Sequence, residues 1–229
     1  MVHNLHKPSG ALMPAGVLCD MDGTLLDSEP MWFLAQREEF GEYGLDWQLA
    51  DQNLMIGMTI VEGTQKVIDH YQFNADATEL GHRIANRVLE MVKRDGVQWR
   101  PGAYELLQRL DVWGVPVALV TSSYAQYASR VADLAPGSGF AALITGDMVS
   151  HGKPDPEPYL KAAEILNVDP RACVAFEDSA FGVISAFEAG VVTVAVPYQA
   201  DIPDIPEVIV LDSLELAGQE FFKDIAARF

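Results

Sequence analysis

Two acidic residues with alternate spacing, Asp20 and Asp22, follow a short apolar run at residues 16–19 and precede Gly23 and Thr24. The run has the length of a buried strand, so the chain is predicted to leave a strand and enter a polar, acid-lined loop. In an open α/β sheet the carboxyl ends of the strands form the ligand crevice. Both acids are therefore expected to face a ligand, with Gly23 supplying the conformational freedom that this requires.

Further polar clusters adjoin later apolar runs. Thr121 follows a second run, Lys153 precedes a predicted helix, and Glu177 and Asp178 follow a third run. Such side chains would reach the same crevice at one edge of a parallel sheet. Each match alone is better explained by a turn, a helix cap or a solvated charge. Their joint occurrence at successive strand ends favours a functional site.

The four acids in these clusters would repel one another and any anionic ligand. Two like charges about 4 Å apart repel by about 4 kcal/mol at an effective dielectric constant of about 20. Cations must offset this repulsion. Mg²⁺ suits such a cluster because it prefers oxygen ligands and often bridges to phosphate.

The elements that must position these residues alternate between strands and helices. Apolar runs predict strands at about 16–19, 115–120, 141–145, 172–176, 191–196 and 208–211. Helical spacing predicts helices at about 104–114, 124–134, 156–166 and 179–189, with a last amphipathic helix in the tail. Short connections between such units imply an α/β fold with a doubly wound, Rossmann-like parallel sheet covered on both faces.

The stretch between the first two predicted strands breaks this alternation, because its apolar residues recur at helical spacing and turn signals divide it into roughly four helices. We therefore predict a catalytic α/β core of residues 1–30 and 98–229. A helical cap, residues 31–97, is inserted after the first strand. Linkers near residues 27–30 and 95–101 would join the two parts.

Composition limits the classes of partner. The chain has 229 residues and a formal net charge of −18, from 15 Lys and Arg against 33 Asp and Glu. This charge argues against binding to nucleic acid or to an anionic membrane surface. No run approaches the ~18 apolar residues of a membrane span, so a cytoplasmic monomer or weak dimer is expected. Residues 1–14 are expected to be a poorly structured leader, and Cys19 and Cys173 to be small buried residues with no supported disulfide.

Four motifs, taken in order, resemble those of the haloacid dehalogenase superfamily, in its β-phosphoglucomutase-like phosphatase branch with a helical cap. The first, Asp20-Met21-Asp22-Gly23-Thr24-Leu25-Leu26-Asp27-Ser28, fits the family's DxDGTLxDS signature without a departure. The others are Thr121, Lys153 in Gly152-Lys153-Pro154, and Glu177-Asp178. The resemblance covers residues 17–197 and implies a phosphatase that acts on a small phosphorylated metabolite, such as a sugar phosphate.

The resemblance also implies roles for these residues. Asp20 would attack phosphorus and form an aspartyl phosphate, which divides one difficult displacement into two easier ones. Asp22 would protonate the departing alkoxide and later take a proton from the attacking water. Thr121 and Lys153 would bind the phosphoryl oxygens, and Lys153 would also pair with Asp20.

Mg²⁺ would be held, by the same resemblance, by the Asp20 carboxylate, the Asp22 backbone carbonyl and Asp178, with Glu177 bound directly or through water. Ser122 and Trp32 are further candidates for substrate binding. Ser122 is otherwise interpreted as a helix cap and not as a nucleophile, because no motif places a histidine to activate it. Trp32 either faces the substrate or anchors the cap.

Departures from relatives narrow the reaction. Dehalogenases of the superfamily do not need the second acid of the first motif, so Asp22 favours phosphoryl transfer. β-Phosphoglucomutases carry a histidine just after the first motif and basic cap residues, whereas Trp32, Ile56 and Ile60 stand at those positions here. Hydrolysis is therefore favoured over a phosphomutase reaction. A catalytically silent binding or regulatory module is a third alternative, but such a protein would be expected to lack a nucleophile or a metal ligand, and this sequence lacks neither.

Overall fold

The computed structural model describes residues 13–55, 58–198 and 201–228, and its centre is a parallel sheet of six strands. The strands are β1 (Gly16–Cys19), β2 (Val117–Val120), β3 (Ala142–Ile144), β4 (Cys173–Glu177), β5 (Val192–Ala195) and β6 (Ile209–Val210). Their spatial order is β3-β2-β1-β4-β5-β6, and each neighbouring pair is parallel. The order reverses at β1, which makes the carboxyl end of β1 the switch point where ligands bind in such sheets.

Helices cover the sheet. The described residues form the α-helices α1 (Glu29–Gly41), α2 (Ile60–Tyr71), α3 (Ala77–Asp95), α4 (Ala103–Trp113), α5 (Ala125–Ala132), α6 (Glu157–Leu166), α7 (Ala180–Glu188) and α8 (Gln219–Ile225). The predicted α/β fold is confirmed. The observed strands are shorter than the predicted ones at several ends; β2 begins after Pro116, which has no N–H to donate to a strand ladder.

Two apolar layers sandwich the sheet because successive strand residues point to opposite faces. Val17 and Cys19 pack in one layer with residues of α4 and α8, and Leu18 packs in the other with residues of α6 and α7. Cys173 belongs to the second layer, so the two cysteines lie in different layers. Both are buried and free, as expected for small apolar residues.

The stretch between β1 and α4 is helical, as predicted, but one of its helical segments is a 3-10 helix, Leu49–Leu54, and not an α-helix. Asp51 and Asn53 lie within this segment, and such side chains compete with helical backbone hydrogen bonds. Helix α3 packs against both α1 and α2. Its Arg83 forms an ion pair of 2.8 Å with Glu39 of α1, and Arg87 pairs with the same carboxylate.

The two segments that lead into and out of this helical stretch run side by side. The Asp27 amide donates to the Gln98 carbonyl at 2.9 Å, and the Arg100 amide donates to the Leu25 carbonyl at 2.9 Å. Arg100 also donates through its guanidinium to the Gly23 carbonyl. The returning chain is therefore bonded directly to the loop that follows β1.

Within the described ranges, no helix is both long and apolar enough to cross a membrane. The predicted leader lies mostly outside the described residues, which begin at Met13.

Candidate active site

The loop after β1 turns back on itself at once. The amides of Leu25 and Leu26 both donate to the Met21 carbonyl, at 3.0 and 2.9 Å. Gly23 has a φ of 84°, which L-residues with side chains rarely adopt. A Cβ at this position would also collide with the Asp178 carboxylate. Glycine is therefore required both by the turn and by the close approach of an acid from the end of β4.

Lys153 joins the loops after β1 and β4. Its ammonium group lies 2.6 Å from Asp20 Oδ1 and 2.6 Å from Glu177 Oε1, and it donates to the Val120 carbonyl at 3.0 Å. All of these groups are buried, so the ion pairs are little screened by water. Burial lowers the pKa of Lys153, but Asp20 and Glu177 outweigh burial and raise the pKa above its ordinary value. The lysine is therefore firmly cationic.

Glu177 is fully engaged by its neighbours. Tyr159 of α6 donates its hydroxyl to Glu177 Oε1 at 2.6 Å, and the Ser179 hydroxyl donates to Oε2 at 3.3 Å. Gly182 of α7 packs so closely that a Cβ there would overlap the Glu177 carboxylate. Glu177 is thus fixed at the base of the site by Lys153, Tyr159 and Ser179.

Asp20, Glu177 and Asp178 form a cluster in which one oxygen of each lies within 4.8 Å of one oxygen of the others. Burial, followed by repulsion from Glu177, raises the pKa of Asp20 to about 7, although Lys153 opposes the shift. Burial and repulsion from Asp20 and Glu177 raise the pKa of Asp178 well above its usual range. Asp20 Oδ2 is buried without a hydrogen-bond partner. A hard divalent cation would supply the positive charge that this donor set lacks.

Thr121 lies at the end of β2, beside this cluster, and is 4% exposed. Its hydroxyl oxygen accepts the Ser123 amide at 3.0 Å, so the hydroxyl proton is left for another acceptor. Ser122 lines the same cavity as Thr121, Asp20 and Lys153. The structure thus brings both predicted binding residues of this loop to the same cavity.

The Asp22 side chain lies apart from the ion pairs, in a set of neutral donors. Asp22 Oδ1 accepts hydrogen bonds from the Ser28 hydroxyl at 2.6 Å, the Trp32 indole at 3.1 Å and the Tyr127 hydroxyl at 2.9 Å. Oδ2 accepts the Ser123 hydroxyl at 2.8 Å. Trp32 and Tyr127 also contact each other edge to face, with ring centroids 5.7 Å apart. Trp32 therefore lines the cavity and donates to Asp22.

Sequence reasoning missed several residues of the site. Thr24, which donates to Asp178 at 3.1 Å, and Ser28 lie inside the first motif, so the signature could have pointed to them. Tyr127 and Tyr159 are single aromatic residues on helices, and only the tertiary structure reveals that their side chains point into the site. The same is true of three further polar residues of the cavity wall, which are Glu29, Gln36 and Gln52.

The family profile described as haloacid dehalogenase-like hydrolase matches residues 14–190. The chain belongs to this family. Hexitol phosphatase A of Escherichia coli (strain K12) is 33% identical over 204 residues, which cover 87% of this chain and 91% of that protein. Fructose-1-phosphate phosphatase YqaB of the same strain is 34% identical over 179 residues, which cover 77% of this chain and 93% of that protein.

Solved structures of haloacid dehalogenase-like proteins share the fold. β-Phosphoglucomutase from Clostridium difficile superposes with a TM-score of 0.80 at 20% identity, over 94% of this chain and 98% of that chain. At this identity the likeness concerns the fold. The predicted family and, with two phosphatases among the relatives, the predicted enzyme class of a phosphoric monoester hydrolase are confirmed.

Proposed function

We propose that this protein is a Mg²⁺-dependent phosphatase that hydrolyses a small phosphorylated metabolite, a sugar phosphate, through an aspartyl phosphate on Asp20. The observation that carries the proposal is the buried pair of Asp20 and Lys153 at the switch point of the sheet, with Asp20 Oδ2 left without a partner. A carboxylate that is buried, oriented by a lysine and unsatisfied on one oxygen is prepared to act on a ligand. The names of the phosphatase relatives agree with this chemistry.

Phosphate binding falls to residues that present donors at one edge of the sheet. The Lys153 ammonium, fixed beside Asp20 at 2.6 Å, would neutralise charge on the phosphoryl oxygens. The free hydroxyl proton of Thr121 would donate to a phosphoryl oxygen, and Ser122 would line the site beside it. Asp20 would then attack phosphorus, and the bond from phosphorus to the alcohol oxygen would break.

The donor set fits a divalent cation. Asp20, Asp178 and the Asp22 backbone carbonyl would hold Mg²⁺, which would offset the repulsion between carboxylates and phosphate when bound. Both Glu177 oxygens already accept hydrogen bonds from protein groups. This favours contact of Glu177 with the metal through water over direct contact.

Asp22 is the proposed proton carrier. Its carboxyl group would protonate the departing alcohol and then take a proton from the water that hydrolyses the aspartyl phosphate. The four neutral donors around its carboxylate fix its position. Because Trp32 belongs to α1 and Tyr127 to α5, that position depends on how these two helices are placed.

We further propose that residues 31–97 act as a cap over a core of residues 1–30 and 98–229. The paired segments at Asp27 and Gln98 would serve as hinges. Closure would exclude bulk water and bring cap side chains to the substrate. A cytoplasmic location and a monomeric or weakly dimeric state belong to the same proposal.

We favour hydrolysis over a phosphomutase reaction, in which the phosphate would move to another position of the same substrate. A mutase must rebind a doubly phosphorylated intermediate, and in the described part of the cavity wall Lys153 is the sole cation. Product analysis with a hexose 1-phosphate separates the two reactions, because a mutase yields the 6-phosphate and a phosphatase yields inorganic phosphate.

The direct test is phosphate release from a panel of phosphorylated metabolites, measured with Mg²⁺ and with EDTA. The proposal expects turnover of at least one sugar phosphate in Mg²⁺ and its loss in EDTA. A protein that turns over none of them, or one that is indifferent to EDTA, is not the enzyme proposed here. The first of these results would favour a binding or regulatory module.

A further inference from the structure

The charges around the cavity are unbalanced. Among the described residues that line it, the acidic and basic side chains are the carboxylates Asp20, Asp22, Glu29 and Asp178 and the single ammonium of Lys153. That ammonium is already shared between Asp20, Glu177 and the Val120 carbonyl. With one divalent cation bound, the cavity can offset the charge of one phosphate group. No side chain on the described wall is left to neutralise a second anion.

Three polar residues of α1 and the 3-10 segment, Glu29, Gln36 and Gln52, also line the cavity, and only Glu29 among them can carry a charge. Gln36 and Gln52 are each 4% exposed, and both line the cavity. The carbonyl oxygen of the Gln36 side chain accepts the Trp47 indole N–H at 3.3 Å, which fixes the orientation of the amide. Buried amides and carboxyls of this kind exchange hydrogen bonds with hydroxyl groups.

Gln52 carries the strongest sign of a missing partner. Its amide nitrogen lies 3.2 Å from a carboxylate oxygen of Glu29, which fixes the direction of the amide. Its amide oxygen is buried and has no hydrogen-bond partner. An unsatisfied buried acceptor is destabilising, so a donor is expected there when the site is in use.

Glu29 lies beside Gln52 at the start of α1. Burial, followed by repulsion from Asp22 and Asp27, raises the pKa of Glu29 to about 7. A second anion on the substrate would meet this carboxyl group with no cation near it. A hydroxyl group could instead donate to the carboxylate or accept from the protonated acid.

The remaining wall suits the carbon skeleton of a polyol. Met55, Met58 and Ile60 line the cavity next to the polar group formed by Glu29 and Gln52. Sugar alcohols and sugars present both C–H surface and hydroxyl groups, so they match a wall that contains both apolar and hydrogen-bonding side chains.

We propose that Glu29 and Gln52 are specificity-determining residues that bind the hydroxyl groups of a neutral polyol, so that the enzyme selects sugar or sugar-alcohol monophosphates and rejects substrates with a second anionic group. This inference rests on the proposed phosphatase function and names the substrate class for that site. The phosphate would occupy the Asp20 and Lys153 end of the cavity, and the hydroxyl groups would meet the wall formed by α1 and the 3-10 segment.

The wild-type enzyme tests the substrate class. Hydrolysis of sorbitol 6-phosphate, phosphoglycolate, fructose 1,6-bisphosphate and p-nitrophenyl phosphate is measured in Mg²⁺. The inference expects kcat/KM for sorbitol 6-phosphate to exceed that for phosphoglycolate and for fructose 1,6-bisphosphate, which each carry a second anionic group, by at least about tenfold. An equal or higher kcat/KM for either substrate with a second anionic group overturns the inference. If none of the four substrates is hydrolysed, p-nitrophenyl phosphate included, the proposed phosphatase function is overturned instead.

Variants test the named residues. Gln52→Leu is expected to lower the ratio of kcat/KM for sorbitol 6-phosphate to that for p-nitrophenyl phosphate about tenfold, mainly through KM, because the latter has no hydroxyl groups to lose. The matched control is Gln65→Leu on the exposed face of α2, where Gln65 bonds to Asp69. The ratio for that control should equal the wild-type ratio. A Gln52→Leu ratio equal to that of the control contradicts the inference.

A gain of function provides a second, independent test. Gln52→Arg places a cation beside Glu29 and is expected to raise kcat/KM for phosphoglycolate relative to sorbitol 6-phosphate about tenfold. Glu29→Gln keeps the shape of the side chain and its hydrogen bonds but removes the negative charge. It is also expected to raise kcat/KM for phosphoglycolate relative to sorbitol 6-phosphate. Melting temperatures establish that each variant is folded. If neither variant shifts the preference toward phosphoglycolate, Glu29 and Gln52 do not determine specificity.

Discussion

The Tyr127 hydroxyl donates a hydrogen bond of 2.9 Å to Asp22 Oδ1, across 105 positions of the chain. Tyr127 is 2% exposed and lies on α5, whereas Asp22 lies in the loop after β1. Burial, followed by the charge of Asp22, raises the pKa of Tyr127 well above its ordinary value, so the hydroxyl stays protonated and remains a donor. The carboxyl group proposed to move protons is therefore positioned from outside its own motif.

Tyr127→Phe removes this hydrogen bond and should impair proton transfer to the leaving group. We expect kcat/KM for a sugar phosphate to fall about tenfold, with a smaller fall for p-nitrophenyl phosphate, whose phenolate leaves without protonation; kcat/KM excludes the later hydrolysis step that both substrates share. Steady-state kinetics on both substrates measure the difference. Tyr104→Phe, on the exposed side of α4, is the matched control. An equal loss for both substrates would mean that Tyr127 has only a structural role.

Loss of Lys153 should destabilise the protein as well as inactivate it. Lys153→Met leaves Asp20 and Glu177 buried without their cation, which typically costs about 3–5 kcal/mol of unfolding free energy. Urea denaturation measures this loss. The deficit should shrink as the pH falls from 8 to 5, because Asp20, whose pKa burial raises to about 7, then takes up a proton. A deficit that is the same at both pH values would show that Asp20 is not left as an unpaired charge.

The stability of the metal-free protein should depend on pH in a definite direction. Burial first, and repulsion second, raise the pKa of Asp20 from 3.8 to about 7 and that of Glu29 from 4.5 to about 7. Between about pH 4 and pH 7 the folded protein therefore holds more protons than the unfolded chain, so its unfolding free energy falls as the pH rises. Asp20→Asn should show a smaller fall than the wild type. A fall of the same size in both would rule out Asp20 as a source of the dependence.

Added Mg²⁺ should counter this loss. A cation competes with protons for the same carboxylates, so its stabilising effect should be greater at pH 8 than at pH 6. Thermal melts at both pH values, with Mg²⁺ or with EDTA, measure the effect. Asp178→Asn should reduce it, since this variant removes a proposed ligand. Stabilisation by Mg²⁺ that is unchanged in Asp178→Asn would exclude that residue from the metal site.

Gly182 tests the packing behind Glu177. A Cβ there would overlap the Glu177 carboxylate, so Gly182→Ala should displace this acid and cost about 1–3 kcal/mol of unfolding free energy. Gly41→Ala is the control, because a Cβ at Gly41 has no neighbour within 4 Å. That substitution should be neutral or slightly stabilising. If the two variants have the same stability, α7 is not packed against Glu177 as described.

The main features of the fold could be predicted because each strand carries its own local signal. β1, for example, is an apolar run that ends at two acids, and its predicted bounds agree with the structure. The 3-10 segment Leu49–Leu54 could not be distinguished from an α-helix, because its apolar residues are too few to define a helical period. The predicted strand at 208–211 is longer than β6 for a related reason, since apolar side chains continue beyond the two residues that are paired.

The candidate site divides in the same way. The acids, Thr121 and Lys153 come directly after strands or in a short motif, so their convergence could be predicted from topology. Tyr127, Gln36 and Gln52 lie on helical segments outside the motifs, and their orientation depends on how those segments pack. No local pattern marks a glutamine whose amide oxygen lacks a partner.

The central claim is that the Asp20 carboxylate is the nucleophile, and Asp20→Asn tests it most directly. The variant keeps the shape of the side chain but removes the nucleophilic charge. Phosphate release from sorbitol 6-phosphate and p-nitrophenyl phosphate is measured in saturating Mg²⁺, with folding checked by thermal melts. We expect kcat to fall by at least about 10³-fold for both substrates, because protonation of the leaving group cannot compensate for a missing nucleophile. A folded Asp20→Asn protein that retains wild-type turnover would contradict the account.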